Sequence, residues 1–402
     1  MQKLPFFCNL YPQLCNSLQP ETGMNIEDFS EGASGSLVQA GGGNVEYAFL
    51  PDPLPPDWEW PERLWPLLRD AHIALASLDG VGRYLPNPDL LLHPLQQREA
   101  QQSSRLEGTY TDPEQQMLFQ LDPTAPDSEE DPRNEFKEVY NYKRALQLQD
   151  NADLPLSLRL IKRLHEVLME DVRGADRQPG QFRQVQNLIG KPPRYVPPPP
   201  NRLERCLDEF EHYIHAEHDF DPLVEAFLLH YQFEAIHPFR DGNGRVGRLL
   251  LSIMIAEWCD LSHQWLYMSA FFNIHRDEYI DRLYAVSADA DWEGWVEFCL
   301  NGVIAQAEDT ENRCDRLVEL NSEFHNRVEA IGGSHRLGMI VDDLFNQPVV
   351  QITKIRDRYG VHYNTAKADV KKLFEAGILA EFADASVRTF AATEIIDAIA
   401  AD

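Results

Sequence analysis

From Trp60 onward, positions with apolar or half-buried character recur at spacings of three and four, as Trp65, Leu68, His72 and Leu75 illustrate. The pattern predicts helices over 60–77, 95–107, 134–149, 157–169, 201–217, 222–235, 245–258, 276–286, 291–309 and 312–330. Residues 249–255 are apolar on every side (Leu249, Leu250, Leu251, Ile253, Met254, Ile255), which places that helix at the centre of a domain. Two stretches interrupt the periodicity. Residues 121–132 are acidic and proline-rich and read as a loop. Residues 180–200 hold a β-like run, Val185 to Ile189, followed by a stiff polyproline tract ending at Pro200. This flap and strap read equally as a substrate-docking edge and as a surface loop. Ahead of the helices, residues 1–45 are polar and Gly-rich and are expected to be mobile; Pro51, Pro53, Pro55 and Pro56 then impose an extended strap.

Ile331-Gly332-Gly333-Ser334 ends the long helical region. Beyond it lie predicted helices at 336–345, 351–358 and 363–376 and two short β runs at 378–382 and 387–391, an order that resembles a winged helix. The expected organisation is a flexible segment 1–45, an N-terminal helical region 46–150, a core 151–310, a linking helix 311–334 and a C-terminal domain 335–402. The fold class is mainly α, with a small β-hairpin flap and a C-terminal winged helix-turn-helix.

With 36 Lys plus Arg against 65 Asp plus Glu, the net charge is −29, which argues against a chain that coats nucleic acid or anionic membrane. No apolar run approaches the ~20 residues needed to span a bilayer, and the N-terminus has no continuous signal-peptide core. Six cysteines (Cys8, Cys15, Cys206, Cys259, Cys299, Cys314) form no CxxC pair. They read as thiols of a reducing compartment, so the expected location is cytoplasmic.

The chemistry concentrates in His237-Pro238-Phe239-Arg240-Asp241-Gly242-Asn243-Gly244-Arg245-Val246-Gly247-Arg248. Pro238 ends one helix, and Asp241-Gly242-Asn243-Gly244 turns directly into the buried one. Gly242 and Gly244 can leave backbone N–H groups uncovered at a helix N-terminus, which is an anion cradle. Arg245 and Arg248 lie three apart on one face, where the helix dipole opposes cations. They need a bound anion or a nearby carboxylate, and a phosphate chain would serve. Asp241 is a hard oxygen ligand suited to Mg²⁺. His237 can take a proton from an attacking hydroxyl. Alone, His237 reads more readily as a structural histidine and Asp241 as a turn residue; together these groups form a phosphoryl- or nucleotidyl-transfer site.

The segment resembles the signature of the Fic family, HPFx(D/E)GNGRxxR, and matches every fixed position. The similarity extends over roughly residues 50–300. Pro179 to Gly190, with Leu188, Ile189 and Gly190 at its end, resembles the family's target-docking flap. Asp277-Glu278-Tyr279-Ile280 resembles its Tyr-Tyr element near the adenine, with Ile280 in place of the second Tyr. The resemblance implies transfer of AMP from ATP to a Tyr, Ser or Thr hydroxyl of a target protein, and of the chain itself. His237 would be the general base and Asp241 would hold Mg²⁺ against the phosphates. Gly242, Asn243 and Gly244 would orient the phosphates, with Val246 and Gly247 completing the nucleotide segment. Arg245 would contact the phosphates and Arg248 the γ-phosphate. Doc-like kinases carry Lys where this loop has Gly244, so the Gly implies the adenylylating orientation. The resemblance leaves room for a homodimer.

Ser103-Ser104-Arg105-Leu106-Glu107-Gly108 matches the family's inhibitory pattern, (S/T)xxxE(G/N). It implies that Glu107 pairs with Arg248 in bidentate fashion where the γ-phosphate would lie, and that the same site could also remove AMP from a modified target. Within 351–373 six basic residues (Lys354, Arg356, Arg358, Lys367, Lys371, Lys372) face two acidic ones, Asp357 and Asp369. The competing function is therefore a regulator that binds DNA through residues 351–376 and senses nucleotide through the rest.

Overall fold

The computed structural model describes residues 24–42, 45–83, 87–151, 154–172, 178–217, 220–382 and 387–401. The expected mobility of residues 1–23, with Cys8 and Cys15, lies outside these. Helices dominate. Two of them form the centre: α7 (Pro222–Ile236) and α8 (Asn243–Trp258), packed on each other and joined by the short loop 237–242. Both are buried almost all round, which explains why α7 has no polar stripe. Each large apolar side chain they bury is worth about 1.5–3 kcal/mol. Pro222 sits in the first turn of α7, and the Asp221 carboxylate accepts from the Leu223 N–H at 3.0 Å. Helix α8 starts differently. Its N-cap is Gly242 at φ 75°, with no side chain capping the first turn.

Around this pair lie α1 (Trp65–Arg83), α2 (Asp89–Leu106), α3 (Pro113–Leu121), α4 (Arg133–Asn151), α5 (Leu158–Leu168) and α6 (Pro200–Ile214). After α8 come α9 (Ser269–Ile274), α10 (Arg276–Asp289) and α11 (Trp292–Ala330). The two helices expected over 291–309 and 312–330 are one: α11 runs 39 residues without a break, so the division at 310/311 falls inside a helix. Nothing between Glu308 and Arg313 breaks a helix; the polar cluster there is partly its solvent face, while Thr310 and Arg313 are buried.

The N-terminal segment is more ordered than its composition suggested. Strand β1 (Gly35–Gln39) pairs antiparallel with β2 (Tyr47–Pro51), and Phe49 is buried against the core. The flap is less regular than expected. Instead of a β-hairpin, residues 181–199 form a loop with a single antiparallel bridge, Ile189 to Tyr195. Its proline tract is buried from Val196 to Pro199, not a surface strap.

The C-terminal part runs α12 (His335–Asn346), β3 (Val349–Gln351), α13 (Ile352–Tyr359), α14 (Tyr363–Glu375), β4 (Ala380–Phe382), β5 (Thr389–Ala391) and α15 (Thr393–Ala400). The three strands form an antiparallel sheet in the order β3-β5-β4. This unit is docked, not tethered. α12 and α15 pack on α2, and Gln347 Nε2 donates to the Met117 carbonyl at 3.1 Å. Arg327 also pairs with Glu394 at 2.7 Å.

Helix α2 begins at Asp89, earlier than expected, because it continues through Pro94, and much of its buried face beyond that is polar. Gln97 accepts from Gln120 at 2.7 Å, Gln102 from Asn273 at 2.9 Å and Glu99 from the Tyr142 hydroxyl at 2.8 Å. Among the described residues, no helix is long and apolar enough to cross a membrane. Cys206, Cys259, Cys299 and Cys314 are free thiols, and burial pushes those of Cys206 and Cys259 up to about 11 and 12.

Candidate active site

Helix α7 stops because His237 adopts the left-handed region, φ 50° and ψ 61°, immediately before Pro238. A histidine pays for this conformation, so the surroundings must hold it. Arg183 does so from the flap. Its Nε donates to the His237 carbonyl at 2.8 Å and its Nη2 to the carbonyls of Pro198 at 2.6 Å and Ile236 at 3.2 Å. Burial lowers this guanidinium to about 10. The next turn is closed by Asn243, whose Oδ1 accepts from the Phe239 N–H at 2.7 Å while its Nδ2 donates to the Phe239 carbonyl at 2.9 Å. Phe239 stacks on His165, centroids 3.8 Å apart. His165 Nδ1 accepts from the Gly180 N–H at 2.9 Å, so the proton lies on Nε2, which donates to the Asp241 carbonyl at 3.1 Å. Burial pushes this imidazole down to about 3, fixing it neutral. The loop is thus clamped from α5, the flap and α8 before any ligand arrives.

The two arginines have found carboxylates. Arg248, 3% exposed at its side chain, donates from Nη2 to Glu107 Oε1 at 2.8 Å, from Nε to Ser103 Oγ at 2.8 Å and from Nη2 to the Ser103 carbonyl at 2.9 Å. The pairing with Glu107 is single, not bidentate as expected; Ser103 takes Nε and shares Nη2 with it. Glu107 caps the C-terminus of α2 and can come this close because Gly244 has no side chain: a Cβ there would lie 2.3 Å from Glu107 Oε1. The Glu107 side chain is 40% exposed and borders the cavity that also reaches His237. Burial works against its charge, yet Arg248 and then Arg245 outweigh it and hold the carboxyl below the usual range. Arg245 meets Glu138 of α4 at 3.4 Å, and Thr109 Oγ1 donates to the same Glu138 oxygen at 2.8 Å. No motif in the chain marks Glu138.

His237 lines a cavity of about 370 Å³ with Glu107, Gly244 and Arg248 at its polar end. Leu106, Ile189, Tyr195, Tyr279, Leu283 and Tyr284 supply the largely apolar remainder of its lining, together with Gly190. Burial and then Arg183 push the His237 imidazole down to about 4, so it is neutral near pH 7, and its Nδ1 has no hydrogen-bond partner among the described residues. Tyr279 stacks on Phe272 at 4.3 Å and donates to His230 Nε2 at 2.9 Å, whose Nδ1–H in turn reaches the Gly247 carbonyl at 3.1 Å. Glu234, beside Gly247, is raised to about 7 by burial.

Asp241 and Arg245 open instead onto an adjoining polar cavity of about 190 Å³, shared with Glu107 and Glu138. Asp241 Oδ1 accepts from the Gly242 N–H at 2.7 Å. Among the described residues no group of three or more His, Cys, Asp or Glu is arranged to hold a metal ion by itself. With Glu107 held by Arg248 and Glu138 by Arg245, Asp241 is the carboxylate on this cavity that fits a cation taking its remaining ligands from phosphate oxygens and water, the habit of Mg²⁺.

Of the other residues singled out in the sequence, Val246 is wholly buried in the core, Asn243 is occupied by Phe239, and Leu188 is 41% exposed and lines neither cavity. Sequence reasoning missed His165, Arg183, Glu138 and Glu234. The first three act through contacts to distant or buried partners and Glu234 is marked only by its burial, for which a single sequence holds no pattern.

Residues 65–148 match the Fic/DOC family N-terminal region and residues 155–255 match the Fic/DOC family itself. The protein adenylyltransferase Fic of Drosophila virilis is 36% identical over 104 residues, 25% of this chain and 20% of that protein. That of Culex quinquefasciatus is 32% identical over 164 residues, 39% of this chain and 29% of that protein. The chain thus spans between a fifth and a third of these relatives' length. A Fic family protein from Desulfovibrio desulfuricans G20 shares the fold, with a TM-score of 0.52 at 19% identity over 84% of this chain and 98% of that one.

Proposed function

We propose, from the premise that this chain belongs to the Fic/DOC family through residues 65–148 and 155–255, that it is a protein adenylyltransferase moving AMP from ATP to a hydroxyl of a target protein. The observation that carries the reading is one cavity in which a neutral His237 faces an uncapped helix N-terminus and Arg248. The apolar end of the cavity takes the base, and the triphosphate runs toward α8. The first-turn amides of α8 and its dipole receive phosphate oxygens. The hydroxyl oxygen attacks the α-phosphorus in line, its proton passes to the His237 imidazole, and pyrophosphate leaves as the bond to the bridging oxygen breaks. Asp241 is the residue that would hold Mg²⁺, which when bound neutralises phosphate charge.

Glu107 occupies the place on Arg248 that the γ-phosphate needs. We therefore read the resting chain as autoinhibited, and the same carboxylate as a group that could orient water against a modified target. Self-modification and a homodimer remain part of this proposal. The alternative, DNA binding through residues 351–376, draws less support: Arg358 pairs with Asp343, Arg356 with Asp357 and Lys371 with Glu375, so half of the basic set is already neutralised within the chain.

The test is transfer of label from α-phosphate-labelled ATP to protein in a lysate, using the Glu107→Gly chain. Label on protein is expected; its absence would sink the reading. Asp241→Ala should bring wild-type Mg²⁺-dependent transfer down to the level seen in excess chelator. A variant that kept full turnover in chelator would remove Asp241 as the metal ligand.

A further inference from the structure

A chain of hydroxyls enters the apolar end of the cavity from outside the matched family segments. It starts at Ser34, ahead of β1, and ends at Ser287 on α10. Ser34 Oγ lies 2.6 Å from the Val286 carbonyl, and a carbonyl can only accept, so the one Ser34 proton goes there. Ser34 Oγ also lies 2.9 Å from the Tyr231 hydroxyl. With its own proton committed, Ser34 must accept, and Tyr231 donates. The Tyr231 oxygen is 2.9 Å from Ser287 Oγ. With the tyrosine proton spent on Ser34, Ser287 must donate to Tyr231. Of the tyrosine hydroxyls that also line the cavity, Tyr195 spends its proton on the Ala235 carbonyl at 3.1 Å, Tyr279 on His230 and Tyr284 on Asp28, so none is left to offer Ser287. Ser287 is 2% exposed, and Tyr231, Tyr195 and Ser287 all line the cavity.

The direction of every bond follows from the carbonyl at the start. Ser287 is left with lone pairs and no proton for a ligand, so this end of the cavity presents an acceptor. An acceptor receives an amino group and repels a carbonyl oxygen. We propose that the Ser34–Tyr231–Ser287 chain makes the site select a nucleoside triphosphate whose base carries an exocyclic amine at its edge, as adenine does, against one with an oxygen there, as hypoxanthine has. This rests on the reading of the cavity as a nucleotide site. Ser287 is the specificity-determining residue, and Ser34 is a positioning residue that touches no ligand but fixes which way the protons point.

The probes are ATP and inosine triphosphate, which differ at that edge. A site built to bond a group rejects the analogue lacking it, and a single bond of this kind is worth on the order of tenfold to a hundredfold. Dissociation constants for both are measured on the full chain and in a Glu107→Gly background, with melting temperature as a second readout. The unchanged chain and Glu107→Gly should prefer ATP by at least about tenfold. Ser287→Ala removes the acceptor and Ser34→Ala releases the Tyr231 proton, so both should bring the ratio close to parity while ATP still binds. Equal binding of the two nucleotides by the unchanged site would overturn the inference and leave the transferase reading standing. Loss of preference in Ser287→Ala but not in Ser34→Ala would overturn the relay. Failure to bind either nucleotide in both backgrounds would take down the nucleotide site itself, and this inference with it.

Discussion

His237→Ala should abolish transfer while ATP still binds. Removing a general base costs on the order of 10²–10⁴ in rate, and the base contributes to the transition state far more than to ground-state affinity. The environment supports that split. Arg183 and Asn243 hold the loop through backbone atoms of His237 and Phe239, not through the imidazole. The loop should therefore keep its shape in the variant, and with it the α8 amides and Arg248. Single-turnover transfer and ATP affinity measured together decide the matter. A variant that transfers AMP at the wild-type rate would remove His237 from the mechanism. One that loses ATP binding in proportion would make it a structural residue. Because burial holds the imidazole near 4, the base should be ready throughout the neutral range, and transfer should fall only as the pH approaches that value.

Glu107→Gly should raise transfer well above wild type, onto targets and onto the chain itself, and should lower thermal stability when no nucleotide is present. Breaking a buried ion pair by removing one partner typically costs about 3–5 kcal/mol. Here about 1–3 kcal/mol is the better expectation, because Glu107 opens onto a cavity and the two bonds from Ser103 to Arg248 survive. Mg²⁺-ATP should restore the loss by binding only the folded state. The pH dependence has a definite sign. The folded Glu107 carboxyl sits below its unfolded value, so the pair's contribution is present above the ordinary carboxylate range and fades as the pH drops through the lowered one. Acid would also protonate His237 as the pH approaches about 4, so loss of the pair at low pH should come with loss of the proposed base. An unchanged rate in Glu107→Gly would end the autoinhibition proposal even with the catalytic assignments intact.

What could be read from the sequence followed from locality. The motif from His237 to Arg248 is contiguous, so the helix end, glycine turn and paired arginines lie in register on the page, and the structure brings them to one loop. The requirement that two arginines at a helix N-terminus find anions was legible too. Glu107 could be named as one of them only because it carries a pattern, whereas Glu138 sits among ordinary helical residues of α4. The clamps from His165 and Arg183 depend on contacts 76 and 54 residues distant in the chain, which periodicity does not encode. The β1–β2 pair was obscured by its glycines, and the start of α2 by Pro94 inside the helix. The join within α11 looked like a boundary because its solvent face is acidic there, although no residue breaks the helix.

The burial of α2 has a kinetic consequence. That helix touches α4, α8, α9, α11, α12 and α15, and its side chains from Leu91 to Leu106 are mostly buried. Withdrawing it as a body would strip two folded units at once. Glu107, however, stands one residue past the last helical turn, beside Gly108 at φ 87°, with its side chain bordering empty space. It can leave Arg248 by turning about its own side-chain bonds, a motion of picoseconds to nanoseconds, whereas helix displacement takes microseconds or longer. Inhibition as proposed would then be a competition between carboxylate and phosphate for one guanidinium. It would be set by their relative affinities, and its release should impose no lag before the first turnover.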